Sequence, residues 1–185
     1  MWSEWGAEVA VLQQMLTDRR YTALRSIGHG TDPLLVCSCR NLKGEACLVY
    51  ATQEVKVGVK TLRRVRVESK ATGAAHLILL TREGLTHFAT RELQVDVGLV
   101  TEIFRKEELS FNVTQHRLVP PHRLLTAAER RRVLAVLESK AGALPKLRAS
   151  DPVARYYGWT AGSVIRIDRS IGTLEPETAF RVVTA

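Results

Sequence analysis

Two adjacent prolines, Pro120 and Pro121, constrain the folding of this 185-residue chain more than any other feature. Proline lacks a backbone N–H and its ring fixes φ, so neither residue fits inside a helix or a central strand with its hydrogen bonds intact. The pair therefore marks a boundary between regular elements. We predict a first domain over residues 1–113, a second over residues 114–185, and a linker around residues 112–122.

The apolar pattern before the linker predicts an α/β arrangement, because strands alternate with helices. Helical spacing of apolar residues predicts a first helix over residues 2–20. Residues 58–71 are ambiguous, since their β-branched side chains favour a strand while their basic residues would share one helical face. The other predicted elements are strands over residues 34–39, 46–51, 55–57 and 75–80, and helices over residues 86–93 and 98–104.

The pattern after the linker predicts a small α+β domain with two capped helices. Thr126 with Glu129 three residues later forms a capping box, which predicts a helix continuing to Gly142. Asp151 and Pro152 begin a second, short helix that Gly158 ends. Strands are predicted over residues 164–168 and 179–183.

Basic residues outnumber acidic ones by 27 to 19, and the excess is concentrated near the C-terminus. Residues 114–185 hold 12 basic and 6 acidic side chains, net +6, whereas residues 1–113 carry only +2. Such a surplus predicts an acidic partner, either nucleic acid or an acidic protein surface. No apolar run is long enough for a membrane helix and no secretory signal opens the chain, so no membrane partner is expected.

Three cysteines, Cys37, Cys39 and Cys47, indicate a reducing compartment rather than a disulfide scaffold, because their number is odd. Together with His29 they would make a four-ligand metal set. Their spacing matches no common zinc pattern, so we interpret them as small buried hydrophobic residues and expect no metal or other cofactor.

Asp32, Glu54 and Lys56 resemble the spaced carboxylate and E-x-K set of metal-dependent nucleases. In such sites the acidic groups hold a divalent ion and the lysine steadies the attacking water. The pattern is short, and a solvated strand face explains the same residues. Neither a nucleotide-binding loop nor a GxSxG or HExxH motif is present, so no catalytic residue is predicted.

Residues 82–91 combine a glycine turn with a threonine N-cap at the start of a predicted helix, an arrangement that can bind phosphate. Arg82, Thr86, His87 and Arg91 are the candidate contacts, although capping without a ligand is the favoured interpretation of these residues taken alone. A second basic group would bind phosphates or form a solvated face, and it consists of Lys60, Arg63, Arg64, Arg66 and Lys70.

Residues 151–159 place an N-cap, an arginine and three aromatic side chains within nine positions. Tyrosine, tryptophan and arginine are the side chains that anchor protein interfaces. Core packing of the aromatic rings, with Arg155 reaching back to Asp151 one turn away, is the alternative.

Four segments together resemble the fifth shared subunit of eukaryotic nuclear RNA polymerases, whose archaeal relatives lack the N-terminal domain. The run DPVARYYG at residues 151–158 is the most specific, and LPKL at 144–147 precedes it. The run NVTQHRLVPPH at residues 112–122 resembles the family's linker, and VKVGVKTL at 55–62 resembles a segment of its eukaryote-only N-terminal domain. The resemblance covers nearly the whole chain in the same order.

The resemblance implies a non-catalytic subunit of DNA-directed RNA polymerase located in the nucleus. It implies an N-terminal jaw domain, similar in fold to restriction endonucleases, which faces downstream duplex DNA. Because residues 1–113 carry a net charge of only +2, we expect this domain to bind DNA weakly, through phosphates and without sequence preference. The resemblance also implies a C-terminal assembly domain that docks on the largest subunit among the other core subunits. The candidate contacts with the largest subunit are Asp151, Pro152, Arg155, Tyr156, His116, Pro120 and His122.

Two segments depart from the family pattern. The family approaches DNA through a Thr-Pro-Ser-Ala loop, whereas residues 86–89 read THFA, and residues 171–177 also diverge. These departures indicate a divergent lineage, cellular or viral, or a paralogue of one polymerase, nucleolar if that is polymerase I. A metal-dependent nuclease and a free-standing adaptor remain the alternative functions.

Overall fold

The computed structural model describes residues 5–26, 34–95, 98–138, 140–169 and 177–185. Contacts within the chain group it into two compact units, Met1–Phe111 and Asn112–Ala185. Both units are mixed α/β, and each contains one sheet. No helix in the described ranges is both long and apolar enough to span a membrane.

The first unit contains a five-stranded sheet in the order β1-β2-β3-β4-β5. The first three strands form an antiparallel meander, and β3, β4 and β5 are parallel. Parallel neighbours need a long crossover, and here each crossover contains a helix. The elements are α1 (Gly6–Asp18), β1 (Thr22–Ser26), β2 (Leu34–Arg40), β3 (Ala46–Ala51), α2 (Val59–Ala71), β4 (Ala74–Thr81), α3 (His87–Val95) and β5 (Val100–Arg105).

Strand β4 is the centre of this unit's core. Its residues Leu77–Leu80 are fully buried, as expected for an inner strand of a sheet covered on both faces. Leu62 and Val65 of α2 pack on one face together with Leu77 and Leu79. Burial of such aliphatic side chains contributes about 1.5–3 kcal/mol each.

Most predicted elements of the first unit are confirmed, including the helix near the N-terminus and the strands at residues 34–39, 46–51 and 75–80. Two predictions need correction, and one ambiguity is resolved. Residues 55–57 form no strand and make an isolated bridge at Val57, and the helix predicted at residues 98–104 is replaced by strand β5, Val100–Arg105. Residues 58–71 form α2, because the crossover between β3 and β4 must cover the sheet, and this outweighs the β propensity of the valines.

The cysteines are confirmed as free and buried. Cys39 lies opposite Cys47 across the β2–β3 pair, and its thiol donates to the Cys47 carbonyl over 3.7 Å. No group of three or more potential metal ligands occurs within the described ranges. His29 and Asp32, as well as residues 170–176, lie outside those ranges.

The second unit contains a four-stranded sheet in the order β6-β8-β9-β7. Helices α4 and α5 cover opposite faces of it, because alternate residues of a strand point to opposite sides. Ile165 packs with Ala154 of α5, whereas its neighbour Val164 packs with Val133 of α4. The elements are β6 (His122–Leu124), α4 (Ala127–Val136), β7 (Lys146–Arg148), α5 (Pro152–Tyr157), β8 (Val164–Arg169) and β9 (Glu177–Thr184).

The local signals of the second unit are confirmed at both helices. Thr126 and Glu129 form the capping box of α4, and Gly158 ends α5 with a φ of +67°. One prediction is wrong in detail, since α4 ends at Val136 instead of Gly142. The predicted linker contains a 3-10 helix at Val113–Gln115. The strands predicted at residues 164–168 and 179–183 are β8 and β9, whereas the pattern did not predict β6 and β7.

Candidate assembly and nucleic-acid surfaces

Helix α5 is defined by its end residues. The Asp151 carboxylate accepts a hydrogen bond from the Val153 backbone N–H at 2.9 Å, and Pro152 occupies the first turn, where its missing N–H costs nothing. Gly158 adopts the left-handed conformation that ends the helix. These interactions determine the position of each side chain along one and a half turns.

The inner side of α5 is anchored by Tyr156, which is only 4% exposed. Its hydroxyl accepts a hydrogen bond from the Asn112 side-chain amide at 2.9 Å, and Asn112 is itself buried. The side-chain carbonyl oxygen of Asn112 (Oδ1) in turn accepts hydrogen bonds from the backbone N–H and the hydroxyl of Thr114. Tyr156 therefore holds residues 112–115 against the helix from its buried side, and as a candidate contact with the largest subunit it stays a prediction.

The outer side of α5 retains the other candidates. Pro152 is exposed, and Asp151 and Arg155 are half-buried. The rings of Tyr157 and Trp159, also half-buried, stack at 4.6 Å with an interplanar angle of 13°, and Trp159 packs against the core cluster that contains Ala154 and Ile165. Tyrosine, tryptophan and arginine are the side chains that anchor protein interfaces.

The remaining assembly candidates lie along the linker. His116 is exposed, and its Nδ1 accepts a hydrogen bond from the Leu118 N–H at 3.2 Å. His122 is half-buried and donates from Nδ1 to the Pro120 carbonyl at 2.6 Å, which determines its ring orientation. This segment borders an open groove of about 610 Å³, whose lining comprises Arg117, Leu118, Val119, Pro120, Pro121, Asp168 and Arg169.

Two loops of the first unit, residues 52–58 and 82–86, are joined by backbone hydrogen bonds. The Glu83 N–H donates to the Val55 carbonyl at 2.9 Å, and the Val57 N–H donates to the Gly84 carbonyl at the same distance. The Thr86 N–H then donates to the Val57 carbonyl at 3.0 Å. Because α2 and α3 follow directly on these loops, their N-termini lie side by side at the carboxyl end of the parallel strands.

The candidate DNA contacts surround the start of α3. Arg82, His87 and Arg91 are exposed, whereas Thr86 is half-buried and its hydroxyl accepts a hydrogen bond from the Ala89 N–H at 3.4 Å. Thr86 thus acts as the predicted N-cap. The side chain of Phe88 is 71% exposed and lies edge-on to His87, a feature for which the sequence argument made no prediction.

The basic group on α2 is only partly available to phosphate. Lys60, Arg64 and Lys70 are exposed. Arg63 is exposed but forms a salt bridge with Glu92 of α3 at 2.7 Å, and this carboxylate raises the arginine's pKa. The assignment of Arg66 to an exposed basic group needs correction, because its side chain is buried and donates to the Glu92 backbone carbonyl at 3.3 Å.

Asp32 of the nuclease-like pattern lies outside the described residues, and Glu54 and Lys56 do not lie on a strand. One carboxylate oxygen of Glu54 accepts from the Thr61 hydroxyl at 2.6 Å and the other from the Gly58 N–H at 3.3 Å. Glu54 therefore caps the N-terminus of α2, where a negative charge is favourable. Lys56 is exposed on a loop outside any strand.

Sequence reasoning missed three features of the second unit: the Asn112–Tyr156 hydrogen bond, the Tyr157–Trp159 stack, and the contribution of Asp168 and Arg169 to the groove. The Asn-x-Thr spacing at residues 112–114 is a local signal for the turn that Asn112 makes. Nothing local indicates Tyr156 as its partner, since the two residues are 44 positions apart.

Comparison with known proteins defines a class of transcription protein. Residues 111–183 match the family model described as RNA polymerase Rpb5, C-terminal domain. The chain is 32% identical over 182 residues to the Dictyostelium discoideum protein named DNA-directed RNA polymerases I, II, and III subunit rpabc1, covering 92% of this chain and 90% of that one. It is 30% identical over 159 residues to the RPABC1 proteins of Caenorhabditis elegans and Caenorhabditis briggsae, covering 85% of this chain and 68% of theirs.

The chain therefore belongs to the Rpb5 family of RNA polymerase subunits. Among solved structures, it aligns with a chain of an EndoMS complex with double-stranded DNA, with a TM-score of 0.36 and 19% identity, covering 55% of this chain and 44% of that one.

Proposed function

We propose that this protein is a non-catalytic subunit of a nuclear DNA-directed RNA polymerase, with the other polymerase subunits as its partners. The observation that carries the proposal is its alignment with relatives named as shared subunits of polymerases I, II and III, which extends over nine tenths of the Dictyostelium protein. The protein contributes scaffolding and charge, and the engagement of Glu54 in a helix cap is consistent with the absence of bond chemistry.

The second unit is the assembly domain and docks on the largest subunit. Support comes from α5, where Pro152 is exposed and Arg155, Tyr157 and Trp159 are half-buried, while Tyr156 holds the helix from within. His116, Pro120, His122 and the groove beside them extend this surface along the linker. Asp151 contributes indirectly, because its carboxylate caps the helix.

Substitution Arg155→Glu tests the docking surface. An interface arginine at an anchoring position contributes about 2 kcal/mol or more, so we expect roughly 30-fold less largest subunit to co-purify with the tagged chain. Arg148→Glu, an exposed arginine on β7, is the charge-matched control, and circular dichroism verifies that both variants fold. Equal loss in both variants would contradict this docking site, and failure of any largest subunit to co-purify with the wild type would favour the adaptor alternative.

The first unit is the jaw domain and approaches downstream duplex DNA with the end of the sheet where α2 and α3 begin. Support comes from Arg82, His87 and Arg91, which are exposed there together with Lys56 and Lys60. Its order of a helix, three antiparallel strands, a helix and a parallel strand supports the restriction-endonuclease-like fold implied by the family resemblance. With a net charge of only +2 in residues 1–113, binding is weak and directed at phosphates.

The salt dependence of DNA binding tests the jaw surface. In fluorescence anisotropy with a duplex of about 20 base pairs, Arg82→Glu/Arg91→Glu should reduce the slope of log affinity against log salt by about 2. Arg40→Glu/Lys43→Glu on the β2–β3 hairpin is the charge-matched control and should leave the slope near that of the wild type. A slope that changes equally in both variants would show that net charge, and no particular surface, determines binding.

A further inference from the structure

Helix α4 is held by few contacts for its length. Its ten residues, Ala127–Val136, include none that is fully buried, and only Val133 and Leu134 pack on the sheet. A helix of this length is marginal in water, and most helical stability in proteins comes from tertiary packing. Val136, 82% exposed, lies next to Leu137, which is also exposed.

The outward face of α4 combines small, basic and aliphatic side chains. At 100° per residue, Val133 and Leu134 define the inward side, so Arg131, Arg132 and Val136 point away from the sheet. Ala128 and Ala135 lie between them, and their small side chains project little from this face. All five residues are exposed, and the helix spans about 15 Å.

The charge of this face is not neutralised within the described part of the chain. Arg130, Arg131 and Arg132 make no hydrogen bond or ion pair there, whereas Arg123 pairs with Glu129 at 2.8 Å. Glu129, the only acidic residue of α4, is also engaged by Thr126. The Thr126 backbone N–H and the Arg123 guanidinium lower the pKa of Glu129 to about 2, so its carboxylate stays charged and bound to these neighbours.

We propose that the outward face of α4, comprising Ala128, Arg131, Arg132, Ala135 and Val136, is a second docking surface that binds an acidic helical segment of a partner protein. Carboxylates of the segment pair with the two arginines, and its aliphatic side chains cover Val136. The two alanines allow the helices to approach closely. This surface differs from the α5 and linker residues of the proposed assembly site.

A protein segment fits this face better than nucleic acid does. The face has no aromatic side chain on which a base could stack and no hydroxyl or amide to position a phosphate. A phosphate backbone would also leave Val136 in water. An amphipathic helix with acidic and aliphatic positions one turn apart satisfies the arginines and the valine together.

Binding of a designed peptide to the full chain tests this proposal. The probe is a fluorescent helical peptide of about 16 residues with glutamate and leucine at i, i+3, i+4 and i+7. We expect Arg131→Glu/Arg132→Glu to weaken binding about tenfold or more and Val136→Ser to weaken it about threefold. A scrambled peptide of the same composition should bind the wild type less well, because its leucines no longer form one face.

The control variant is Lys146→Glu/Arg148→Glu, which makes the same charge change on exposed positions of β7. It should retain peptide affinity within about twofold of the wild type. Equal weakening in this control, absence of peptide binding, or a duplex-DNA affinity that depends on Arg131 and Arg132 while the peptide fails to bind would each overturn the proposal. The assay needs no polymerase, so its outcome is independent of the proposed function.

Discussion

Replacing Tyr156 with alanine should lower the free energy of unfolding of the second unit by about 3–5 kcal/mol. The ring lies on the buried side of α5, and its hydroxyl accepts the hydrogen bond of the buried Asn112 amide. The substitution therefore opens a cavity and removes the hydroxyl that accepts from that amide, two effects that add. For a unit of this size, the midpoint of thermal unfolding should fall by more than about 12 °C.

Urea denaturation followed by Trp159 fluorescence measures this loss, in a background where Trp2 and Trp5 are phenylalanine. Tyr156→Phe is the matched control, since it keeps the ring and removes only the hydroxyl, at a cost of about 1–2 kcal/mol. Equal losses for the two substitutions would mean that the ring contributes little packing. We also expect Tyr156→Ala to remove the chain from purified polymerase, because α5 would no longer be held in place.

Glu102→Ala should destabilise the first unit by about 3 kcal/mol or more. Both oxygens of the Glu102 carboxylate accept hydrogen bonds from Arg19 at 2.8 Å, and the exposed fractions of the Arg19 and Glu102 side chains are 5% and 24%. Arg19 also lies over the Phe104 ring at 5.9 Å. Removing the carboxylate takes away the acidic partner of a buried guanidinium, which costs far more than loss of an exposed pair.

Removing both charges separates the effect of the Arg19–Glu102 ion pair from that of its surroundings. Arg19→Leu/Glu102→Leu should be less destabilising than Glu102→Ala, because neither charge of the pair remains in the interior. Arg63→Ala, which breaks the exposed pair with Glu92, should change the urea midpoint far less. If Glu102→Ala lowers the urea midpoint no more than Arg63→Ala does, the buried pair does not stabilise the packing of the end of α1 on β5.

The candidate contacts with DNA and with the largest subunit stay predictions, but the structure changes which residues can serve. Arg82, His87 and Arg91 are exposed as the sequence argument required, whereas Tyr156 and Arg66 are buried. A sequence pattern identifies residue types that suit an interface. It cannot show which side of a short helix faces the sheet until the sheet is known.

The local features of this protein could be predicted from its amino-acid sequence alone. The Thr126–Glu129 box, the Asp151 cap and the Gly158 stop were all predicted correctly, because each depends on a few neighbouring residues and their backbone preferences. The buried strand at residues 75–80 was also predicted correctly, since an uninterrupted aliphatic run is typical of an inner strand. Family membership followed from such short runs read in order.

The features that depend on distant partners could not be predicted from local sequence and follow from the fold. Residues 58–71 became a helix because β3 and β4 are parallel and need a crossover, and residues 98–104 became a strand because β4 offered an edge. The hydrogen bond between Asn112 and Tyr156 joins residues 44 positions apart, and that between Arg19 and Glu102 joins residues 83 positions apart. Local propensities differ by about 1 kcal/mol or less per residue, so burial and pairing with distant segments outweigh them wherever the two disagree.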